Sequence, residues 1–247
     1  MTAAEREQYK HKWDRFSKRY ERIYTVKFKA ALQEQIQQYK QFRYITAAPI
    51  HKVLVDLYKT VGVQWAHHTQ VGIKRQVQTK ARQPMGFSQR IVDLMKSYYG
   101  YDLLNDAEQI TDYTRKVIAD VLSDAALSGA SINDIVRSLE SNSELGTMRA
   151  RRIARTEVVT ASNSAAVINA KEMDVPMKKE WLAVHDNRVR KSHRHVDGHV
   201  VGLDDYFTLD GGVTMQQPGA RVQSSGLPVP ADDIINCRCT VAFSVIE

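Results

Sequence analysis

Tyr9, Trp13, Phe16, Tyr20 and Ile23 recur at spacings of 4, 3, 4 and 3 residues, and Phe28, Leu32, Ile36 and Tyr39 carry the stripe onward. Residues three and four apart share a face only on an α-helix. The stripe therefore predicts one helix of about 35–40 residues, long for a globular chain. Thr2 and Glu5 stand at capping-box spacing just ahead of it. An aromatic face of this length needs a cover, either the next helix or another subunit. Pro49 interrupts the pattern. Val53, Leu57, Val61 and Trp65 then predict a second helix from Lys52 to Lys80, ending before Pro84.

This helical stretch is also basic. Residues 1–82 hold 17 Lys and Arg against six acids, while the remainder holds 18 against 22. A net +11 beside −4 suits an anionic partner, packaged double-stranded DNA or an acidic protein surface. Lys10, Lys12, Arg15, Lys18, Arg19 and Arg22 are the candidate contacts. A solvated helix surface would give the same charge. No run of ~18 apolar residues is present, so no membrane span is expected. The opening MTAAEREQYK is too charged for a secretory signal. Cys237 and Cys239, one residue apart, would close a bridge that constrains almost nothing, so free or metal-held thiols in a reducing cytosol are expected.

Three regions follow from composition: a basic long-helix arm over 1–83, a helical bundle segment over 84–147 and a small α+β domain over 148–247. In the middle region, Ile91, Leu94, Met95 and Tyr98 predict a short helix stopped near Gly100. Ile110 to Ala125 predicts another, stopped at Gly129, and Ser131 to Asp134 caps a third. Such a helix pair resembles a helix-turn-helix, a motif that small bundles also produce without touching DNA. Gly146 to Met173 predicts a helix that starts basic and then turns small and apolar at Ala161, Ala165, Ala166 and Ala170. Past Pro176, Lys179–Val184 and Cys239–Ile246 predict strands, separated by a loop region over 202–233 rich in Gly, Pro, Ser and Asp. The fold class is α+β.

One cluster could carry chemistry. His185, His193, His195 and His199 fall within 15 residues, and Cys237 and Cys239 come some 40 residues later. Imidazole and thiolate are zinc's preferred ligands, and a loop-rich segment gains much from such a staple. The candidate set is His193, Cys237 and Cys239 with His195, His199 or His185 as the fourth ligand. Cys-x-Cys is not the usual Cys-x-x-Cys knuckle, and buried thiols with surface histidines remain the competing arrangement. A His/Cys metal site beside a carboxylate could also activate water, which keeps a metal-dependent nuclease or other hydrolase as the alternative function. No His-Glu-x-x-His, Gly-x-Ser-x-Gly or phosphate-cradling loop supports an enzyme.

The C-terminal hundred or so residues resemble the phage head morphogenesis proteins similar to protein F of phage Mu. The resemblance runs from Ile153-Ala-Arg155-Thr-Glu157 through Asn163 and Trp181 to Asp186-Asn-Arg188. It continues in Ser192-His193-Arg-His-Val-Asp197-Gly198 and closes on Asn236-Cys237-Arg238-Cys239-Thr240. His193 takes the family's histidine position. Val196 stands where leucine is commoner, and Ile234-Ile235 precede Asn236 where the family usually has proline. The resemblance implies a structural, non-enzymatic virion protein, made in the host cytoplasm and present in several copies. It implies work at the portal vertex or head interior, with portal or major capsid protein as partner, in procapsid assembly and DNA packaging or ejection. Trp181 is expected in the core, and Arg155, Glu157, Asp186 and Arg238 in a polar network joining helix to sheet.

Overall fold

A computed structural model describes residues 1–77, 87–184 and 188–246. The chain is α+β and predominantly helical, with its strands confined to the C-terminal part. The helices are α1 (Ala3–Phe42), α2 (Ala48–Leu57), α3 (Val63–Gln76), α4 (Phe87–Ser128), α5 (Ile132–Ser141), α6 (Thr147–Glu172), α7 (Lys191–His195) and α8 (Ala231–Ile234). The strands are β1 (Met177–Leu182), β2 (Val200–Gly202), β3 (Phe207–Thr208), β4 (Thr214–Met215) and β5 (Thr240–Val245). No described helix is long and apolar enough to cross a membrane.

The N-terminal stripe forms one 40-residue helix, capped as its sequence predicts: Glu5 N–H donates to Thr2 Oγ1 and Thr2 N–H to Glu5 Oε2. Pro49 lies in the first turn of α2, where its missing N–H costs nothing, so it begins a helix as well as interrupting the pattern. A π-helical turn, Tyr58–Gly62, joins α2 to α3. Spacings of four at Leu57, Val61 and Trp65 drift around a regular α-helix, and the wider π turn returns all three to the buried face. Gly100 does not stop α4, which runs through it for 42 residues. A helical glycine costs only about 1 kcal/mol relative to alanine, and no proline reinforces it here. Gly129, at φ +64°, does end the helix, and Ser131 and Asp134 form the expected capping box on α5.

Packing sorts the chain into two units, neither continuous in sequence: residues 1–20, 57–97 and 155–247, and residues 21–56 and 98–154. The second unit is helical. Ile36, Ile45, Val117, Ile118, Leu139 and Leu145 form its core. Arg149 is buried there; its guanidinium donates to the Ile110 carbonyl at 2.6 Å and to Thr114 Oγ1 at 2.9 Å, and it lies over the Tyr113 ring. Burial lowers its pKa to about 10.

The first unit holds both sheets. Antiparallel strands run in the order β2-β1-β5, and β3 pairs with β4. Trp13, Trp65, Ala166, Ala170, Trp181, Phe207, Val241 and Phe243 belong to one core. Ala161, Ala165, Ala166 and Ala170 have no exposed surface, which lets α6 sit close to its neighbours. At Gly62 a Cβ would stand 3.3 Å from the Ala161 carbonyl, a tight contact that the glycine avoids. The Gln76 carboxamide serves β5 as a strand partner, donating to the Phe243 carbonyl and accepting the Val245 N–H, each at 3.0 Å.

Candidate metal centre

The site is built where the end of β1, the short helix α7 and the approach to β5 converge in the first unit. Trp181 on β1 is fully buried, with its ring edge-to-face against His193 and Phe207. Past β1 the chain is pinned by Asp197, whose Oδ1 accepts the Ala183 N–H at 2.7 Å. Gly198 follows at φ +78°, a conformation that glycine adopts without strain, and donates its N–H to the Trp181 carbonyl at 2.8 Å. The Asp197-Gly198 pair thus folds α7 back onto β1. His193, on the inner side of α7, is 1% exposed.

The other wall comes from Asn236 to Thr240. Asn236 sits at φ +62°, which asparagine tolerates better than most residues, and donates its N–H to Thr156 Oγ1 on α6. Arg155 on the same helix donates to Asn236 Oδ1 at 3.3 Å. Residues two apart on a chain entering a strand face the same way, so Cys237 and Cys239 both turn inward. They are 2% and 3% exposed. The Arg238 carbonyl between them accepts the Trp13 indole N–H at 2.8 Å, and Tyr9 donates to the Val241 carbonyl at 3.0 Å.

The donor atoms of His193, Cys237 and Cys239 lie within 4.8 Å of one another, the one such buried group among the described residues. His193 Nδ1 stands 3.5 Å from each sulfur. The Cys239 N–H donates to Cys237 Sγ at 3.4 Å. The two thiols differ electrostatically. Hydrogen bonding from Cys239, reinforced by His193, holds the Cys237 thiol well below its ordinary pKa. Its neighbour Cys237, together with burial, pushes the Cys239 thiol well above.

Other expected site residues are placed differently. His195 is not in the group: it is exposed, edge-to-face with exposed His199 at 5.5 Å. On the five-residue α7 only His193 faces inward, and His195, two positions on, points away. His185 and Asp186 lie outside the described residues, and Arg188 is exposed. Glu157 is buried but does not meet Arg155: it accepts from Arg221 at 2.8 and 3.0 Å and from the Tyr58 hydroxyl at 3.0 Å. Among the described residues, Arg155 is thus paired with Asn236 and Glu157 with Arg221. Arg221 lies in the irregular 202–233 loop, where no periodicity marks a residue's direction. Among the basic candidates, Arg15, Lys18, Arg19 and Arg22 are exposed, Lys18 pairing with Asp14. Lys10 and Lys12 are partly buried, and Lys10 lies 3.7 Å from Asp197.

Comparison with known proteins follows the same residues. The family model described as Phage Mu protein F like protein matches residues 116–242, just over half the chain. The chain belongs to this family. That stretch includes all of α6, β1, α7 and the Cys-Arg-Cys segment, and so contains every member of the buried group. Three relatives also match. NAD(+)--arginine ADP-ribosyltransferase EFV of Enterococcus faecalis is 34% identical over 115 residues, 45% of this chain and 22% of that protein. Uncharacterized protein YqbB of Bacillus subtilis is 35% identical over 100 residues, 40% of this chain and 33% of its own length. Minor head protein GP7 of Bacillus phage SPP1 is 28% identical over 131 residues, 52% of this chain and 40% of its own length. Each match thus spans well under half of the relative. No solved structure matches.

Proposed function

We propose that this Mu F-like chain is a minor head protein of a tailed bacteriophage. It acts at the portal vertex or head interior, in procapsid assembly and in DNA packaging or ejection, and does no catalysis. The match of the family model over residues 116–242 carries this reading, and a minor head protein among the relatives supports it. The geometry is of the same kind. The family's motif residues are spent on holding chain to chain: Asp197 on Ala183, Asn236 on α6, Glu157 on Arg221.

The nuclease or hydrolase alternative has less support. His193, Cys237 and Cys239 are 1–3% exposed, so a phosphodiester has no approach to them. The transferase activity in the name of the Enterococcus relative is not carried over, because the shared stretch is 22% of that protein. The partner we assign is portal or major capsid protein, with the exposed arginines Arg15, Arg19 and Arg22 of α1 placed to meet DNA phosphates without reading sequence. Co-expression with the portal protein of the same phage tests the assignment. A complex that survives gel filtration supports it; separate elution of portal and major capsid protein from this chain overturns it.

A further inference from the structure

We propose that His193 Nδ1, Cys237 Sγ and Cys239 Sγ bind one zinc ion, which staples α7 to the chain entering β5. The inference stands apart from the head-protein reading, since it concerns how this domain is held together. Its first ground is geometric. Zinc at its usual distances from a thiolate and an imidazole nitrogen holds those two atoms about 3.6 Å apart across a tetrahedral angle. His193 Nδ1 lies 3.5 Å from both sulfurs.

Hydrogen bonding explains that symmetry poorly. An imidazole nitrogen has either one lone pair or one hydrogen, and each is directed at a single partner. Equal distances to two sulfurs suit a shared central cation. The Cys239 N–H on Cys237 Sγ adds a donor of the kind that stabilises a thiolate ligand. The fold also brings the three donors from segments more than 40 residues apart, one on α7 and two before β5.

The second ground lies on the far side of the imidazole. His193 Nε2 is buried without a hydrogen-bond partner and faces Asp233 Oδ1 at 3.7 Å. Ser192 Oγ holds that carboxylate at 3.0 Å. A metal-bound histidine usually offers its second N–H to a carboxylate, which fixes ring orientation and strengthens the ligand. Asp233 occupies that place and is the positioning residue of the site. His195 has no part in it, and among the described residues no fourth side chain joins the group.

Full-length protein made in zinc-supplemented medium and purified without chelator should carry about one zinc per chain by elemental analysis. Cobalt exchanged into it should show a thiolate-to-cobalt charge-transfer band, which needs no variant to fold. His195→Ala should keep its zinc. Cys237→Ser with Cys239→Ser should lose it. Asp233→Asn should weaken zinc affinity about 10- to 100-fold in a chelator competition while circular dichroism is unchanged. Less than a tenth of an equivalent of zinc together with no charge-transfer band overturns the site. Zinc retained by the double cysteine variant, or lost in a folded His195→Ala variant, overturns the ligand assignment.

Discussion

Asn163, in the middle of α6, holds Val241 at the start of β5: its side-chain oxygen accepts the Val241 N–H at 3.0 Å. The same oxygen accepts from the Thr240 hydroxyl, and the side-chain nitrogen donates to the Cys239 carbonyl at 3.2 Å. One fully buried carboxamide therefore does for the cysteine segment what a neighbouring strand would do. The anchor fixes the depth at which both cysteines enter the core.

Replacing that carboxamide leaves a buried N–H and a buried carbonyl without partners. Asn163→Ala should cost about 2–4 kcal/mol in urea unfolding. Asn163→Val, which with alanine brackets the asparagine in volume, should cost a comparable amount, which assigns the loss to hydrogen bonding. A change below ~0.5 kcal/mol in both would show that the anchor contributes little.

Glu157 is 4% exposed and depends on Arg221 for its charge partner. Arg221→Ala strands a carboxylate in the core, and the partly exposed arginine moderates the penalty to about 2–4 kcal/mol. Adding Glu157→Gln should recover part of it, because the charge no longer needs a partner. A double-mutant cycle checks this, and strict additivity would mean the pair is uncoupled.

Lys179 is fully buried on β1, its Nζ donating to the Leu203 carbonyl at 2.8 Å. Burial lowers its pKa to about 8, with Lys171 adding to the effect. In the unfolded chain it titrates near 10.4. Between those values the unfolded state binds more protons, so this residue makes stability rise with pH over that window. Below about 8 both states are protonated and the slope vanishes. Subtracting the profile of Lys179→Met from that of wild type, by thermal melts from pH 7 to 11, should isolate the rise. A flat difference profile would remove Lys179 as its source.

Arg15, Arg19 and Arg22 recur at spacings of 4 and 3 along α1 and are exposed. If α1 meets packaged DNA, changing all three to glutamine should lower the slope of log affinity against log salt by about 2–3, near 0.9 per lost phosphate contact. Random and phage sequences should bind alike. An unchanged slope would remove this part of α1 from the DNA surface.

What the sequence by itself determined was local, in features that repeat or cap. The aromatic stripe of α1, the Thr2–Glu5 and Ser131–Asp134 boxes and the α+β class follow from periodicity and end signals, which act over three or four residues. The ordered motifs from Ile153 to Thr240 were enough to mark the family. Gly100 misled because a lone glycine is a weak stop. The assembly of the site was a different matter. Four histidines near two cysteines name candidate ligands without ranking them, since a loop has no period to say which way a side chain points. Only the fold back at Asp197 and Gly198 turns His193 inward and leaves His195 on the surface. Only the tertiary structure gives Glu157 to Arg221 and Tyr58, or brings Asp233 to the far side of the imidazole. Those pairings join residues 40 to 100 positions apart, and what decides them is the shared burial that a helix, a sheet edge and a loop reach together.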